Sequence, residues 1–196
     1  MRFYFGFMAL LVLCAQPVAA MEYSRNGVTV TLSGNIKPDD EHMMPKFFDR
    51  PENAGIRYIN LVSGGGSVNA AIEVGRQIRR RNFETIVDGG RANCSSACTI
   101  LFGSGVKRHY INSGAVQDGA FKFGGNGLGF HQASTQLSRQ PSSFSGAGTG
   151  MVIGAYYEFG IGGASGLADK APPNMIYRLS GPSAVQLGIA TSLTLP

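Results

Sequence analysis

A run of glycines between a strand pattern and a helix pattern constrains the fold of this chain more than any other feature. Residues 56–62 are mostly apolar and lead into SGGGS at residues 63–67. Ser67 is suited to be a helix N-cap, and apolar or small residues follow it at helical spacing: Val68, Ala71, Ile72, Gly75 and Ile78. The pattern predicts a strand that passes through a tight turn directly into an amphipathic helix.

The rest of the chain continues this alternation. Strand patterns cover residues 27–36, 84–87 and 110–111, and another ends at Phe130. Helix patterns cover residues 41–49, 95–102 and 151–159, and residues 132–150 are polar and Gly-rich, which predicts a long loop. Residues 175–195 indicate a strand, a helix over 183–187 and a last strand. We therefore predict an α/β fold with much parallel pairing.

The N-terminus resembles a secretory signal. Arg2 precedes an apolar run over residues 3–14, and small residues at Ala19 and Ala20 suit a signal peptidase. We predict a signal peptide over residues 1–20 and a single domain over 21–196, exported to the periplasm or the extracellular space. A leader that stays as an N-terminal membrane anchor is the alternative. A net charge of +5 without a recognisable module argues against a nucleic-acid partner.

The cysteines agree with an oxidising compartment. Cys14 leaves with the leader, so the mature chain keeps Cys94 and Cys98. In an exported protein this pair predicts a disulfide, with two buried thiols as the alternative. Two cysteines without clustered histidines are too few for a zinc site, so we expect no metal and no cofactor.

Three features carry chemistry. The glycine turn at residues 63–67 exposes backbone N–H groups that suit the oxyanion of acyl transfer, with a plain tight turn as the alternative. CSSAC, residues 94–98, offers Ser96 as a nucleophile at the start of a short helix, with a capping serine as the alternative. His131 ends an apolar strand pattern and is a candidate general base, whereas His42 and His109 fit structural roles.

These features occur in an order that resembles the Clp protease proteolytic subunit and its relatives in the Clp/crotonase superfamily, in particular small exported bacterial proteins. The segments that carry the resemblance are INLVSGGGSVNAAIEVGRQI, CSSACTILF, GFHQA and SGPSAVQLGIAT. The resemblance implies a Clp/crotonase-like superhelix of repeated ββα units with a short parallel sheet. It also implies that Ser96 is the nucleophile, that His131 is the base, and that Gly65, with Gly66 beside it, and the Ala97 N–H donate to the oxyanion.

The chain departs from the family's pattern at the third catalytic position. Ile176 stands where the resemblance implies an acid, and an isoleucine cannot orient an imidazole. Asn174 and Asp169 are nearby substitutes, and a Ser–His dyad is the alternative. The segment between Ser96 and His131 is also longer than is usual in the family, and the extra length falls in residues 114–126.

The sequence thus predicts a serine hydrolase, and among hydrolases a peptidase, that acts on a peptide or protein substrate. A non-catalytic binding or assembly module on the same fold is the alternative that the missing acid favours. An acyl-CoA enzyme is disfavoured because coenzyme A is a cytosolic cofactor. We expect no ATPase partner outside the cytoplasm. The family forms rings through the segment after the histidine, and the polar residues 132–150 do not support such a ring, so a homo-oligomer is left as an open alternative.

Overall fold

Eleven strands and five α-helices make up this computed structural model, which describes residues 21–122, 124–135 and 143–196. The strands are β1 (Glu22–Asn26), β2 (Thr29–Ser33), β3 (Tyr58–Val62), β4 (Glu84–Asp88), β5 (Asn93–Ser95), β6 (Arg108–Ile111), β7 (Gly119–Lys122), β8 (Gly127–Phe130), β9 (Ser134–Thr135), β10 (Ser143–Phe144) and β11 (Met175–Leu179). The helices are α1 (Asp40–Phe48), α2 (Val68–Arg80), α3 (Cys98–Ser104), α4 (Gly146–Glu158) and α5 (Gly181–Gln186). The predicted signal peptide lies outside the described residues.

The larger sheet has the order β1-β2-β3-β4-β6. Strands β2, β3, β4 and β6 run parallel, and β1 is added antiparallel at one edge. The core side chains of β2 and β3 are fully buried: Val30, Leu32, Ile59 and Leu61. The alternation predicted for β2 holds for Val30 and Leu32, whereas Val28 is 45% exposed because the strand begins after it.

The second sheet has the order β5-β8-β11-β7. Its β5–β8 pair is parallel, and its other two pairs are antiparallel. The sheets meet at Ser63, whose N–H donates to Asn93 O (2.7 Å) and whose carbonyl accepts from Ser95 N (3.1 Å). The end of β3 is therefore fixed beside β5.

Helix α2 forms as predicted. The Ser67 hydroxyl accepts a hydrogen bond from Ala70 N (3.3 Å), which caps the helix. Ala71, Val74 and Ile78 are fully buried in the core on one face of α2. The predicted βα unit is thus confirmed.

Two predicted helix boundaries and one predicted strand were wrong. Helix α3 begins at Cys98 rather than at Ser95, because Ser96 has a left-handed backbone (φ +56°) that a helix cannot include. Helix α4 begins at Gly146 rather than at residue 151, since the Ser145 hydroxyl caps it by accepting from Gly148 N (3.0 Å). The last predicted strand is reduced to one bridge, between His109 and Ser192.

The loop predicted over residues 132–150 is partly structured. Strands β9 and β10 pair as a short antiparallel hairpin, and α4 follows directly. Residues 136–142 of the predicted loop lie outside the described residues. Within the described ranges, no helix is long and apolar enough to cross a membrane.

The close approach of Gly66 to Ile36 gives a test of the glycine turn. A Cβ at Gly66 would lie 2.1 Å from Ile36 O, and Gly66 has φ +141°, so we expect Gly66→Ala to lower the free energy of unfolding by at least about 2 kcal/mol. Gly154→Ala is the control, because nothing lies within 4 Å of its Cβ on α4, and it should stabilise by up to about 1 kcal/mol. Urea unfolding measures both, and equal stabilities for the two variants would contradict the packing at Gly66.

Candidate active site

The candidate nucleophile and the candidate base follow two neighbouring parallel strands. Ser95 in β5 pairs with Gly129 in β8, and the Ser96 N–H extends the ladder by donating to Gly129 O (2.8 Å). Ser96 comes directly after β5, and His131 comes directly after β8. Because neighbouring strands lie about 4.8 Å apart and these two run in the same direction, both side chains start at one edge of the second sheet.

Ser96 lies in a sharp turn between β5 and α3. Its left-handed φ of +56° is uncommon for a residue with a side chain and costs on the order of 1–3 kcal/mol. A strained serine in a strand-to-helix turn is an arrangement that presents a nucleophilic hydroxyl. The Ser96 side chain is half-buried, which leaves it accessible.

Two sets of contacts hold this turn. Cys94 and Cys98 form the predicted disulfide, with their Cα atoms 5.2 Å apart, and it closes a short loop around Ser96. The Ser96 carbonyl accepts from Thr99 N (2.9 Å) and from Thr99 Oγ1 (2.6 Å). Thr99 Oγ1 lies 2.7 Å from the hydroxyl of the buried Tyr156 on α4.

Tyr156 also contacts β8, the strand that precedes His131. Its ring packs edge-to-face against Phe130 in β8, with 6.1 Å between the ring centroids. Burial raises the pKa of Tyr156, so its hydroxyl stays neutral and available as a donor. No sequence pattern indicated Thr99 and Tyr156, because the pattern of α4 does not determine which residues its tyrosines contact.

The glycine turn packs directly against Ser96. A Cβ at Gly65 would lie 2.7 Å from Ser96 Cβ and 3.1 Å from Ala97 N, so a larger residue does not fit there. The Gly65 N–H donates to Ser63 Oγ (3.1 Å). Within the described part of the chain, the N–H groups of Gly66 and Ala97 make no hydrogen bond, which leaves them able to donate to a substrate oxygen.

His131 is half-buried beside this edge. Burial lowers the pKa of His131, and a smaller opposing effect comes from a hydrogen bond with the Gln132 backbone. The imidazole therefore favours its neutral form, which is the form a general base needs.

The position of the family's acid holds an apolar side chain. Tyr177 in β11 pairs with Phe130, so one further step in this register sets Ile176 across from His131, and Ile176 is fully buried. Of the two predicted substitutes, Asp169 is exposed and accepts a long hydrogen bond (3.5 Å) from Gln132 Nε2. Asn174 is exposed in the turn before β11.

The other two histidines lie elsewhere. His42 is exposed on α1 beside Glu41. His109 lies in strand β6, where its Nε2 is 2.8 Å from Glu84 Oε2 and its Nδ1 is 2.9 Å from Thr194 O. It holds the C-terminal segment against the larger sheet.

A buried arginine, which no sequence pattern indicated, connects the β5–β8 strand pair. Arg178 on β11 is 5% exposed, and burial lowers its pKa. Its guanidinium joins β5, β8 and the segment before β8. The acceptors are Asn93 Oδ1 (3.0 Å), Ser95 Oγ (2.9 Å) and the carbonyl oxygens of Gly127 (2.9 Å), Gly125 (2.9 Å) and Gly124.

Solved structures of proteases share this architecture. The membrane-bound stomatin-specific protease 1510-N, as a serine-to-alanine mutant, matches with a TM-score of 0.58 and 13% identity, over 84% of this chain and 77% of that one. A lysine-to-alanine mutant of that protease in complex with a substrate peptide matches with a TM-score of 0.59 and 14% identity, over 84% and 73%. The ClpP protease catalytic domain from Plasmodium falciparum matches with a TM-score of 0.55 and 13% identity, over 86% of each chain.

The chain has a Clp-protease-like fold. This confirms the predicted α/β class with parallel sheet segments and the resemblance on which that prediction rested. No protein-family model matches the chain, and no curated protein matches it either. At 13–14% identity the solved structures show the fold, which is one that proteases use.

The burial of His131 gives a prediction for its titration. We expect its imidazole to titrate below the ordinary histidine value of about 6.5, because burial disfavours the charged form. NMR of the imidazole C–H resonances between pH 4 and 9 measures this, with His131→Gln to assign the signal. A midpoint at or above the ordinary value would contradict the burial of His131.

The role of Arg178 is tested by stability. Arg178→Lys keeps the positive charge, but a single ammonium group cannot reach all the acceptors that the two terminal nitrogens of the guanidinium contact. Some buried acceptors therefore lose their donor. We expect it to lower the free energy of unfolding by about 2 kcal/mol or more, whereas Arg50→Lys on the exposed surface should change it by less than about 0.5 kcal/mol. Equal effects in urea unfolding would show that the guanidinium contacts contribute little.

Proposed function

We propose that this protein is an exported serine peptidase with Ser96 as its nucleophile and His131 as its general base. The observation that carries the proposal is the strained Ser96 turn, which packs on Gly65 at the sheet edge where β8 delivers His131. A positive φ at a serine persists only where surrounding contacts fix it, and such strain is concentrated at functional sites.

The first half of the proposed reaction is acylation. Ser96 Oγ attacks the carbonyl carbon of a peptide bond and forms a C–O bond while its proton passes to the His131 imidazole. The tetrahedral intermediate then breaks its C–N bond. The leaving amine takes the proton from the His131 imidazolium, and an ester on Ser96 remains.

The second half repeats this chemistry with water. His131 takes a proton from water as the water oxygen attacks the ester carbon, and the C–O bond to Ser96 then breaks. The proton returns from His131 to Ser96 Oγ, and a carboxylic acid leaves. The reaction consumes one water and needs no cofactor or metal.

Backbone N–H groups beside Ser96 would stabilise the negative oxygen of both tetrahedral intermediates. We assign this role to Ala97 and to the Gly65–Gly66 turn. The Ala97 nitrogen lies beside Gly65 and its N–H makes no hydrogen bond within the described part of the chain, whereas the Gly65 N–H must first leave Ser63 Oγ. Loss of one such donor costs about 10²–10³ in rate.

The orientation of His131 is the part of the site that departs from the family's pattern. Of the two substitutes for an acid, Asp169 is the better supported because it contacts Gln132, the residue next to His131. Asn174 stays the second candidate. Without either, Ser96 and His131 would act as a dyad.

The proposed substrate is a peptide or protein, since one of the similar proteases was solved with a substrate peptide. The proposed place of action is the periplasm or the extracellular space, which the Cys94–Cys98 disulfide and the predicted signal peptide over residues 1–20 support. There we expect no ATPase partner.

Labelling with a fluorophosphonate tests the nucleophile. We expect the purified protein, with its disulfide intact, to be labelled on Ser96, because an activated hydroxyl displaces fluoride from phosphorus and an ordinary serine does not. Mass spectrometry locates the adduct. Ser96→Ala should abolish labelling, His131→Gln should slow it by at least about 10²-fold, and Ser24→Ala on the exposed surface should leave it unchanged.

The same experiment decides between the peptidase and the alternative function. The apolar Ile176 opposite His131 favours a non-catalytic binding or assembly module on the same fold. That reading expects a folded protein with its disulfide formed and no label on Ser96. Near-UV circular dichroism and mass under non-reducing conditions establish that the protein tested is folded and oxidised.

A further inference from the structure

A second concave site lies away from Ser96. It is a pocket of about 610 Å³, within the range of pockets that hold small molecules. Residues 89–90, 115–117, 121–122 and 124–126 line it together with Arg178. Its lining contains neither Gly65, Ser96 nor His131, so it is separate from the candidate active site.

Much of its wall comes from the segment that is longer than the resemblance implies. Residues 115–117, 121–122 and 124–126 all lie between the end of β6 and the start of β8. Strand β7 is held there by antiparallel pairing with β11, whose Arg178 forms the floor. The pocket is thus a feature of this chain's own insertion.

The charge of the pocket is positive. Arg178 and Lys122 line it, and among the residues that the structure describes no carboxylate does. The nearby Asp88 carboxylate lies outside the lining and accepts hydrogen bonds from Gly90 N (2.9 Å) and from Asn112 Nδ2 (3.0 Å). A cavity with two cations and no acid attracts an anionic group.

Arg178 brings an uncompensated charge to this floor. It is 5% exposed, and every acceptor of its guanidinium is a neutral amide, hydroxyl or carbonyl oxygen. Its Nε is buried and makes no hydrogen bond within the described part of the chain. A buried cation without a counter-charge is costly, and an anion that approaches it offsets part of that cost.

Gly125 leaves the approach to this charge open. A Cβ at Gly125 would lie 3.8 Å from Arg178 Nε, and no side chain of the described residues occupies that position. An oxygen of a ligand that enters above Gly125 therefore comes close to the guanidinium. Lys122, exposed at the end of β7, stands at the side of the same cavity.

The remaining wall is apolar. Phe121 is 46% exposed, and Ala115 and Val116 line the cavity with it. An exposed aromatic ring beside two cations suits a ligand that has an apolar group next to an anionic one.

We propose that this pocket binds the carboxylate of an organic acid with a neighbouring apolar group. Such a group occurs in small free acids and at the C-terminus of a peptide that ends in an apolar residue. The proposal stands independently of the Ser96 chemistry, because it rests on different residues.

The test is an NMR titration of the ¹⁵N-labelled protein, disulfide intact, at low ionic strength. One probe is 3-phenylpropionate, a free acid, and the other is acetyl-Ala-Ala-Phe, a peptide end; the amide of each is its control. We expect saturable shifts at Gly124, Gly125 and Asn126 with both acids and binding at least ten-fold weaker with the amides. Tighter binding of the tripeptide would identify a peptide end as the ligand, and tighter binding of the small acid a free acid.

Variants separate this site from the active site. Lys122→Gln should weaken binding of the acids by about two- to five-fold, because it removes one exposed cation. Lys46→Gln, an exposed lysine on α1, and Ser96→Ala should bind as the unaltered protein does. Equal affinity for acid and amide, shifts confined to Ser96 and His131, or no effect of Lys122→Gln would each overturn the proposal.

Discussion

Two hydrogen bonds of the Ser63 backbone determine how the rest of the molecule is arranged. They attach the end of β3 to β5, and so they join a largely parallel sheet to a second, mixed one. Because Ser63 also begins the glycine turn, the same bonds bring Gly65 against Ser96. The candidate site exists where the two sheets are joined, and neither sheet contains it alone.

Contacts from several elements keep Ser96 in its strained backbone conformation. Thr99 and Tyr156 hold its carbonyl from the side of α3 and α4, and Gly65 closes over its Cβ. Arg178 on β11 fixes the preceding residue, Ser95, by donating to its hydroxyl. This redundancy lets a residue with an unfavourable φ remain in one conformation, and it makes remote substitutions such as Arg178→Lys relevant to the geometry of Ser96.

Local patterns predicted the fold well where one stretch of sequence decides the structure. The alternation of β2, the cap at Ser67 and the spacing of α2 depend on neighbouring residues, and each was confirmed. The backbone conformation of Ser96 could not be predicted, because contacts from α4 and from the glycine turn after β3 help to impose it. Arg178 was equally hidden, since MIYRL is an ordinary strand pattern and its buried acceptors come from segments more than fifty residues away. Sequence patterns offered Ser96, His131 and the glycine turn, and the resemblance implied their roles. Those roles stay predictions, as does the choice between Asp169 and Asn174.

The disulfide between Cys94 and Cys98 has a consequence for when the site is complete. It spans the turn that contains Ser96, so reduction of this bond would remove a covalent constraint on both sides of the candidate nucleophile. A newly made chain in a thiol-rich compartment would hold the Ser96 turn by its non-covalent contacts, among them those with Thr99 and Gly65. Under the proposed function, oxidation would complete the constraints on the Ser96 turn, so the site would reach its final geometry only in an oxidising compartment.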